Sequence, residues 1–247
     1  MGNMKVSICI ATYNKKNYLE KVLTSIYRQT VPFDFEVIVV DDGSPDEGAT
    51  DRVCRDFPVH YIHINRKPGY HNPAHARNLA YKRARGEIII CQSDDVIHRN
   101  RNTIQRLADE ITPGHFVIAS VSNICTNGKP YTDIVGEGYG DKLLVYTSPE
   151  KRRPLFFLGS LYRSDLYAVG GNDEDFVDPS REDVWFGLCL TEGLKLKPIY
   201  SSVVGLHLHH PHTTDYDAIS RSRIIFNQKV REARRTGTWQ SAGGAWI

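Results

Sequence analysis

Short β-rich runs, several of them almost wholly Val and Ile, punctuate the first half of this chain, and most break off into polar residues. They are Lys5 to Ala11, Phe35 to Val40, Val59 to Ile64, Ile88 to Cys91 and Phe116 to Val121. Runs this short and this apolar suit a parallel sheet covered on both faces. Between them, Lys16 to Gln29 carries Leu19, Val22, Leu23 and Ile26 at helical spacing. Asp46 to Asp56 reads as a short helix, Ala74 to Arg85 as a helix opened by Pro73 and stopped by Gly86, and Arg101 to Ile111 as another. This alternation predicts a doubly wound α/β sheet. Ligands bind such sheets beyond the carboxyl ends of the strands. There the sequence places Thr12-Tyr13-Asn14, Asp41-Asp42, Asn65-Arg66 and Asp94-Asp95.

The second half is less regular. Asn127-Gly128 marks a turn between Val121 to Thr126 and Tyr131 to Ile134, and Glu137 to Arg153 reads as a mobile loop. Asp183 to Glu192 reads as a helix stopped by Gly193, Val203 to Leu208 as a strand, Asp215 to Arg235 as a closing helix and Gly237 to Ile247 as a loose tail.

A chain of 247 residues can bury a core without a disulfide or metal staple. Its five scattered cysteines form no C-x-x-C pair, which predicts reduced thiols. A formal charge of +2 argues against an electrostatically driven nucleic-acid binder. No apolar run is long enough for a transmembrane segment and no signal peptide is visible, so a cytoplasmic protein is expected. Six cations on the last helix (Arg221, Arg223, Lys229, Arg231, Arg234 and Arg235) allow a membrane-peripheral position or contact with an anionic acceptor.

Four constellations carry chemistry. Asp42, in Asp41-Asp42-Gly43-Ser44, offers a carboxylate to a base or ribose, or else caps a turn. Asp94 and Asp95 follow a buried strand, where adjacent carboxylates need a partner that Mg²⁺ or Mn²⁺ with substrate phosphates would supply, or else Asp95 caps the next helix and Asp94 is solvated. Glu182 and Asp183 open a helix, whose dipole keeps a carboxylate ionised as a general base; taken alone, the pair reads rather as an ordinary acidic first turn. In His207-Leu208-His209-His210, an extended chain puts His207 and His209 on one face as metal ligands and His210 on the other, or else the run is a polar strand end.

Taken in order, these pieces resemble glycosyltransferase family 2. Val6 to Asn14 looks like its first strand and nucleotide loop, and Glu36 to Ser44 its second strand and uracil-contacting Asp. Ala76-Arg77-Asn78 is similar to its A-R-N helix start, and Gln92-Ser93-Asp94-Asp95 stands where it carries a metal-binding D-x-D, with Gln92 at the first acidic position. Gly170 to Phe176 is close to its G-G-F-D-E-x-F segment, Glu182-Asp183 to its E-D pair, and His207 to a metal-binding His. The likeness covers roughly residues 4 to 212, leaving 213–247 as a helical extension and tail.

The resemblance implies the GT-A fold: a single, mostly parallel Rossmann-like sheet with helices on both faces and a small acceptor-side region. It implies an inverting transfer of a sugar from a nucleotide-sugar, UDP-linked, to a hydroxyl of a glycan, lipid-linked or protein acceptor, in a monomer or an oligomer. Thr12, Tyr13, Asn14, Asp42, Asn65, Arg66, Arg77, Ser93 and Asp94 would hold the donor. Asp94, Asp95, His207 and His209 would hold Mn²⁺ or Mg²⁺. Asp183 would be the base, Glu182 would position the acceptor, and Trp185 and Gly159 would lie on the acceptor side. The alternatives are a non-catalytic nucleotide-sugar or glycan-binding module, and a sugar nucleotidyltransferase.

Overall fold

The computed structural model describes residues 4–69, 72–124, 145–148, 152, 154–208, 210 and 215–246. Among these residues nine strands form one sheet: β1 (Val6–Thr12), β2 (Phe35–Asp41), β3 (Val59–His63), β4 (Ile88–Ser93), β5 (Val96–His98), β6 (His115–Asn123), β7 (Val145–Thr147), β8 (Leu158–Tyr162) and β9 (Lys197–His207). Their order is β3-β2-β1-β4-β8-β6-β9-β5, with β7 paired to β6. β3, β2, β1, β4, β6 and β9 run one way, while β8, β5 and β7 run against them.

The Val/Ile runs are continuous because both faces of the sheet are covered. Ile8, Ile10, Val37, Val39 and Ile90 point to a layer containing Leu19, Val22, Leu23 and Ile26 of α1 (Lys16–Tyr27) and Ile104 and Leu107 of α4 (Thr103–Asp109). The alternate residues Cys9, Ile38, Val40, Ile89 and Cys91 face α3 (Ala74–Arg83), α5 (Arg163–Val169) and α6 (Glu182–Leu188) through Ala76, Ala80, Tyr81, Leu166, Val169 and Phe186. The two-residue side-chain period of a strand thus feeds two cores at once. α2 (Ala49–Arg55) lies between β2 and β3 in the chain.

β5, β8 and α5 have no counterpart in the sequence reading. β8 inserts antiparallel between β4 and β6, and Gly159 sits inside that insertion: a Cβ there would lie 2.5 Å from the Val117 carbonyl oxygen. Four cysteines, Cys9, Cys54, Cys91 and Cys189, are buried free thiols.

α7 (Tyr216–Thr236), capped by Asp215, packs Phe226, Val230 and Ala233 on the second core layer. The segment after it is not a loose tail. Ser241 donates to the Val169 and Gly171 carbonyls, and the Trp246 amide donates to Tyr167. Nor is Glu137 to Arg153 wholly a loop, since Val145–Thr147 pairs with β6. The turn at Asn127-Gly128 and the strand at Tyr131 to Ile134 fall outside the described residues.

Candidate functional site

A cavity of about 340 Å³ opens at the carboxyl ends of β1 and β4, lined by Thr12, Tyr13, Lys15, Asp42, Arg77, Ser93, Asp94 and Asp95 among others. Seven of these residues were expected there from sequence; Lys15 was not. The acidic turn divides its work. Asp41 accepts from the Ser44 amide and hydroxyl and from Tyr61, so it builds the turn. Asp42 is left to line the cavity, held by Arg66 Nη1 at 2.8 Å. Gly43 takes φ +85°, and its Cα passes so close to Arg66 and the Ile64 carbonyl that a Cβ would lie 3.1 Å from each.

Arg66 meets the cavity only through Asp42, and Asn65 is exposed beside it and does not line the cavity. Asn14 adopts φ 53° and its amide donates to Ser44 Oγ, which ties the first loop to the second. The Tyr13 hydroxyl accepts from the Gly69 amide.

The end of β4 is the most charged part of the site. The Lys15 ammonium lies 3.4 Å from Asp94 Oδ1 and 2.5 Å from Asp95 Oδ2. Antiparallel pairing of β5 with β9 sets Val96 opposite His207, and this brings the His207 ring to 3.5 Å from Asp95. β9 ends at His207. His210 lies 3.2 Å from Asp95 Oδ2, while His209 lies outside the described residues. One ligand atom from each of Asp95, His207 and His210 falls within 4.8 Å of the others. Two imidazoles and a carboxylate suit a divalent transition-series ion such as Zn²⁺ or Mn²⁺.

Burial opposes ionisation at both carboxylates. At Asp94 burial prevails, and its carboxyl sits above the ordinary range despite Lys15. At Asp95 burial is outweighed by hydrogen bonds from His207 and His210 and by the Lys15 charge, so it stays ionised.

Gln92, at the first acidic position of the family pattern, is engaged by the protein's own groups. Its amide nitrogen donates to the Ser93 and Val96 carbonyls, and its oxygen faces His98 Nε2 at 2.8 Å. Burial pushes the His98 imidazole down to about 3, so the ring is neutral and donates to Gln92.

Glu182 and Asp183 open α6, directly after two residues in the left-handed region, Ser180 at φ 82° and Arg181 at φ 76°. Such backbone is costly and is held by its surroundings. Asp183 Oδ1 accepts from the Val184 amide at 2.7 Å. Burial and the Asp183 charge push Glu182 up to about 7 against the pull of Arg77. Burial also raises Asp183, again opposed by Arg77. Arg77 therefore joins the two halves of the site: it lines the cavity and acts on both carboxylates.

Asn78 shows why Arg77 is steady. It donates to the Asn172 carbonyl and to Glu174 and accepts from the Asn172 amide, each at 2.8 Å, fastening the Gly-Gly segment to α3.

Two expected acceptor residues lie elsewhere. Trp185 is 2% exposed, its ring 5.8 Å from that of Trp239, so it is a core side chain and not a platform for a sugar. Gly159 is enclosed in the middle of the sheet because close strand packing requires it. Lys15 and His210 were missed; the signals available were a lysine directly after Thr-Tyr-Asn and a fourfold histidine cluster.

Residues 7–167 match the family model described as Glycosyl transferase family 2. The uncharacterized glycosyltransferase YwdF of Bacillus subtilis is 30% identical over 181 residues, 70% of this chain and 63% of that protein. Poly(ribitol-phosphate) beta-N-acetylglucosaminyltransferase TarS of Staphylococcus aureus is 31% identical over 151 residues, 60% of this chain and 24% of TarS. This chain thus spans less than two thirds of either relative. Residues 1–349 of TarS in complex with UDP-GlcNAc superpose with a TM-score of 0.64 at 20% identity, over 92% of this chain and 67% of that one. Mannosyltransferase PcManGT from Pyrobaculum calidifontis, in complex with GDP-Man and Mn²⁺, gives 0.62 at 22% identity, over 95% and 65%. At these identities the structures speak to the fold alone, and the fold is GT-A.

Proposed function

The chain belongs to glycosyltransferase family 2, and from that premise we propose that it moves a sugar from a UDP-linked donor to an acceptor hydroxyl with inversion at the anomeric carbon. One observation carries the reading: Arg77 links a cavity lined by Asp42, Asp94 and Asp95 to the Glu182–Asp183 pair. A donor needs the first group and a proton acceptor the second.

In this reading Asp42, backed by Arg66, and the Thr12–Tyr13 segment hold the uridine. Arg77 faces the diphosphate. Asp95, His207 and His210, with Asp94 beside them, are the residues that would hold Mn²⁺, which tolerates imidazole ligands better than Mg²⁺ does. Such an ion supplies Lewis-acid charge to the departing diphosphate. Asp183 takes the acceptor proton as the hydroxyl oxygen bonds to the anomeric carbon and the carbon–oxygen bond to the diphosphate breaks. A single displacement inverts the centre and leaves no covalent enzyme intermediate. Glu182, close to neutrality at its shifted value, positions the acceptor. The acceptor is a glycan, a lipid-linked sugar or a protein. Among the described residues no helix is long and apolar enough to cross a membrane, which is compatible with work in the cytoplasm or at a membrane surface.

The test is slow donor hydrolysis. Wild-type protein with UDP-sugars and Mn²⁺ should release UDP without acceptor, and Asp183→Asn should abolish transfer while UDP still binds. Transfer by Asp183→Asn at near the wild-type rate would remove the base assignment. UDP binding with no release from any UDP-sugar would favour a binding module.

A further inference from the structure

The Asp94–Asp95 pair already has a cation. Lys15 Nζ stands 2.5 Å from Asp95 Oδ2 and 3.4 Å from Asp94 Oδ1. The same Asp95 oxygen lies 3.2 Å from His210 Nε2, and its other oxygen 3.5 Å from His207 Nε2. The ammonium therefore sits against the carboxylate that would have to join the two imidazoles around a divalent ion. The Lys15, Asp94 and Asp95 side chains are 28%, 10% and 6% exposed, so little water screens one charge from another. An ammonium and a divalent ion on one carboxylate oxygen at that depth repel strongly.

We propose that Lys15 is the resident counter-ion of this pair, that it and a divalent ion exclude one another there, and that the metal enters together with a nucleoside diphosphate whose phosphates take over the ammonium. The proposal rests on reading the Asp95, His207 and His210 cluster as a metal site. Lys15 has the means to hand over. It lines the cavity itself and directly precedes α1, so its flexible four-carbon stem can carry the ammonium from the carboxylates to a diphosphate with the helix fixed. Nucleotide-free protein then keeps both carboxylates compensated without a metal. Metal and nucleotide bind synergistically, because each removes an obstacle to the other.

The experiment measures Mn²⁺ affinity of nucleotide-free protein, by electron paramagnetic resonance of the free ion, for the wild type, Lys15→Met and the surface charge control Lys5→Met. Lys15→Met should bind Mn²⁺ about tenfold more tightly or better, Lys5→Met should match the wild type, and saturating UDP should raise Mn²⁺ affinity much more in the wild type than in Lys15→Met. Equal or weaker Mn²⁺ binding by Lys15→Met overturns the proposal. If that binding is nevertheless lost in Asp95→Ala, the metal reading survives alone. No Mn²⁺ bound by any of the proteins, with or without UDP, overturns both. Should Lys15→Met fail to fold, the wild type still decides: UDP that leaves Mn²⁺ affinity unchanged refutes the exchange.

Discussion

Arg66 donates from one nitrogen, Nη1, to both oxygens of Asp42, at 2.8 and 3.0 Å. Asp42 is 3% exposed, so its carboxylate has given up most of its water and depends on that guanidinium. If Asp42 holds uridine, Arg66 fixes the orientation of the acceptor oxygens without touching the base. Asp42→Asn and Arg66→Ala should each weaken UDP binding by about tenfold, in line with the roughly 1.5–3 kcal/mol of a hydrogen bond to a charged group. The double variant should be little worse than either, because both remove one unit. Isothermal titration with UDP measures all three. Wild-type affinity in Asp42→Asn would move the nucleotide elsewhere.

Glu182 makes the molecule's stability pH-dependent in a defined direction. Its folded value, about 7, lies above the ordinary glutamate range, chiefly through burial and then the Asp183 charge. The folded protein therefore binds this proton more tightly than the unfolded chain does. The associated stability is complete below the ordinary range and is lost as pH rises through about 7. Urea unfolding at pH 5 and pH 8 should show Glu182→Gln losing less than the wild type, by about 1–2 kcal/mol. The rate has the opposite slope, since Asp183 must be ionised to take a proton. Transfer should rise with pH, with its acid limb moved to higher pH in Arg77→Ala, which removes the opposite charge that works against burial at Asp183. A pH profile unmoved in Arg77→Ala would uncouple these groups from the chemistry.

The Gln92 site predicts a failed repair. Restoring an acid at the position where the family pattern carries one should not improve metal binding, because Gln92 is committed to two carbonyls and to neutral His98. An aspartate there loses both donors and leaves the Ser93 and Val96 carbonyls facing a carboxylate. Gln92→Asp should cost about 2–4 kcal/mol, seen as a lower melting temperature, with Mn²⁺ affinity no better than wild type. Tighter Mn²⁺ binding at an unchanged melting temperature would restore Gln92 to the list of lapsed ligands.

The parts of the fold that read well were those written in one stretch of sequence. β1, β2 and β4 announced themselves because both sides of each strand are apolar, and Asp42 and Asp94 followed from the strand ends they occupy. β8 did not, since Leu158–Tyr162 gives only five residues, centred on Ser160, and its partner strands lie far away in sequence. Lys15 and His210 were hidden for the same reason: each acquires its meaning from Asp95, on another element. Trp185 misled because an aromatic residue two positions after the proposed base, Asp183, fits a sugar platform and a core equally well. The fact that decides it, Trp239 across from it, lies beyond the end of α7.

That last pairing bears on the proposed role of Asp183. The C-terminal segment reaches both supports of the Glu182–Asp183 pair. Trp239 packs on Trp185, two residues after Asp183. The Trp246 ring lies so close to Gly171 that a Cβ there would come within 2.3 Å of it, while the Ser241 hydroxyl and the Ala242 amide bind Gly171 and Asp173. The Gly-Gly segment in turn holds Asn78 beside Arg77. Deleting residues 238–247 should therefore lower the melting temperature and impair transfer much more than it impairs UDP binding, since the hydrogen bonds and ring contacts described for this segment fall on Tyr167, Ala168, Val169, Gly171, Asp173 and Trp185 and not on Asp42 or Arg66. Trp239→Ala alone, removing a half-buried indole, should cost about 2 kcal/mol. The informative comparison is kcat against the UDP dissociation constant at a temperature where the variant is fully folded. A fall in kcat with donor affinity held within about twofold would make the tail a positioning element for the acid pair. A parallel loss of both would reduce it to a contributor to overall stability.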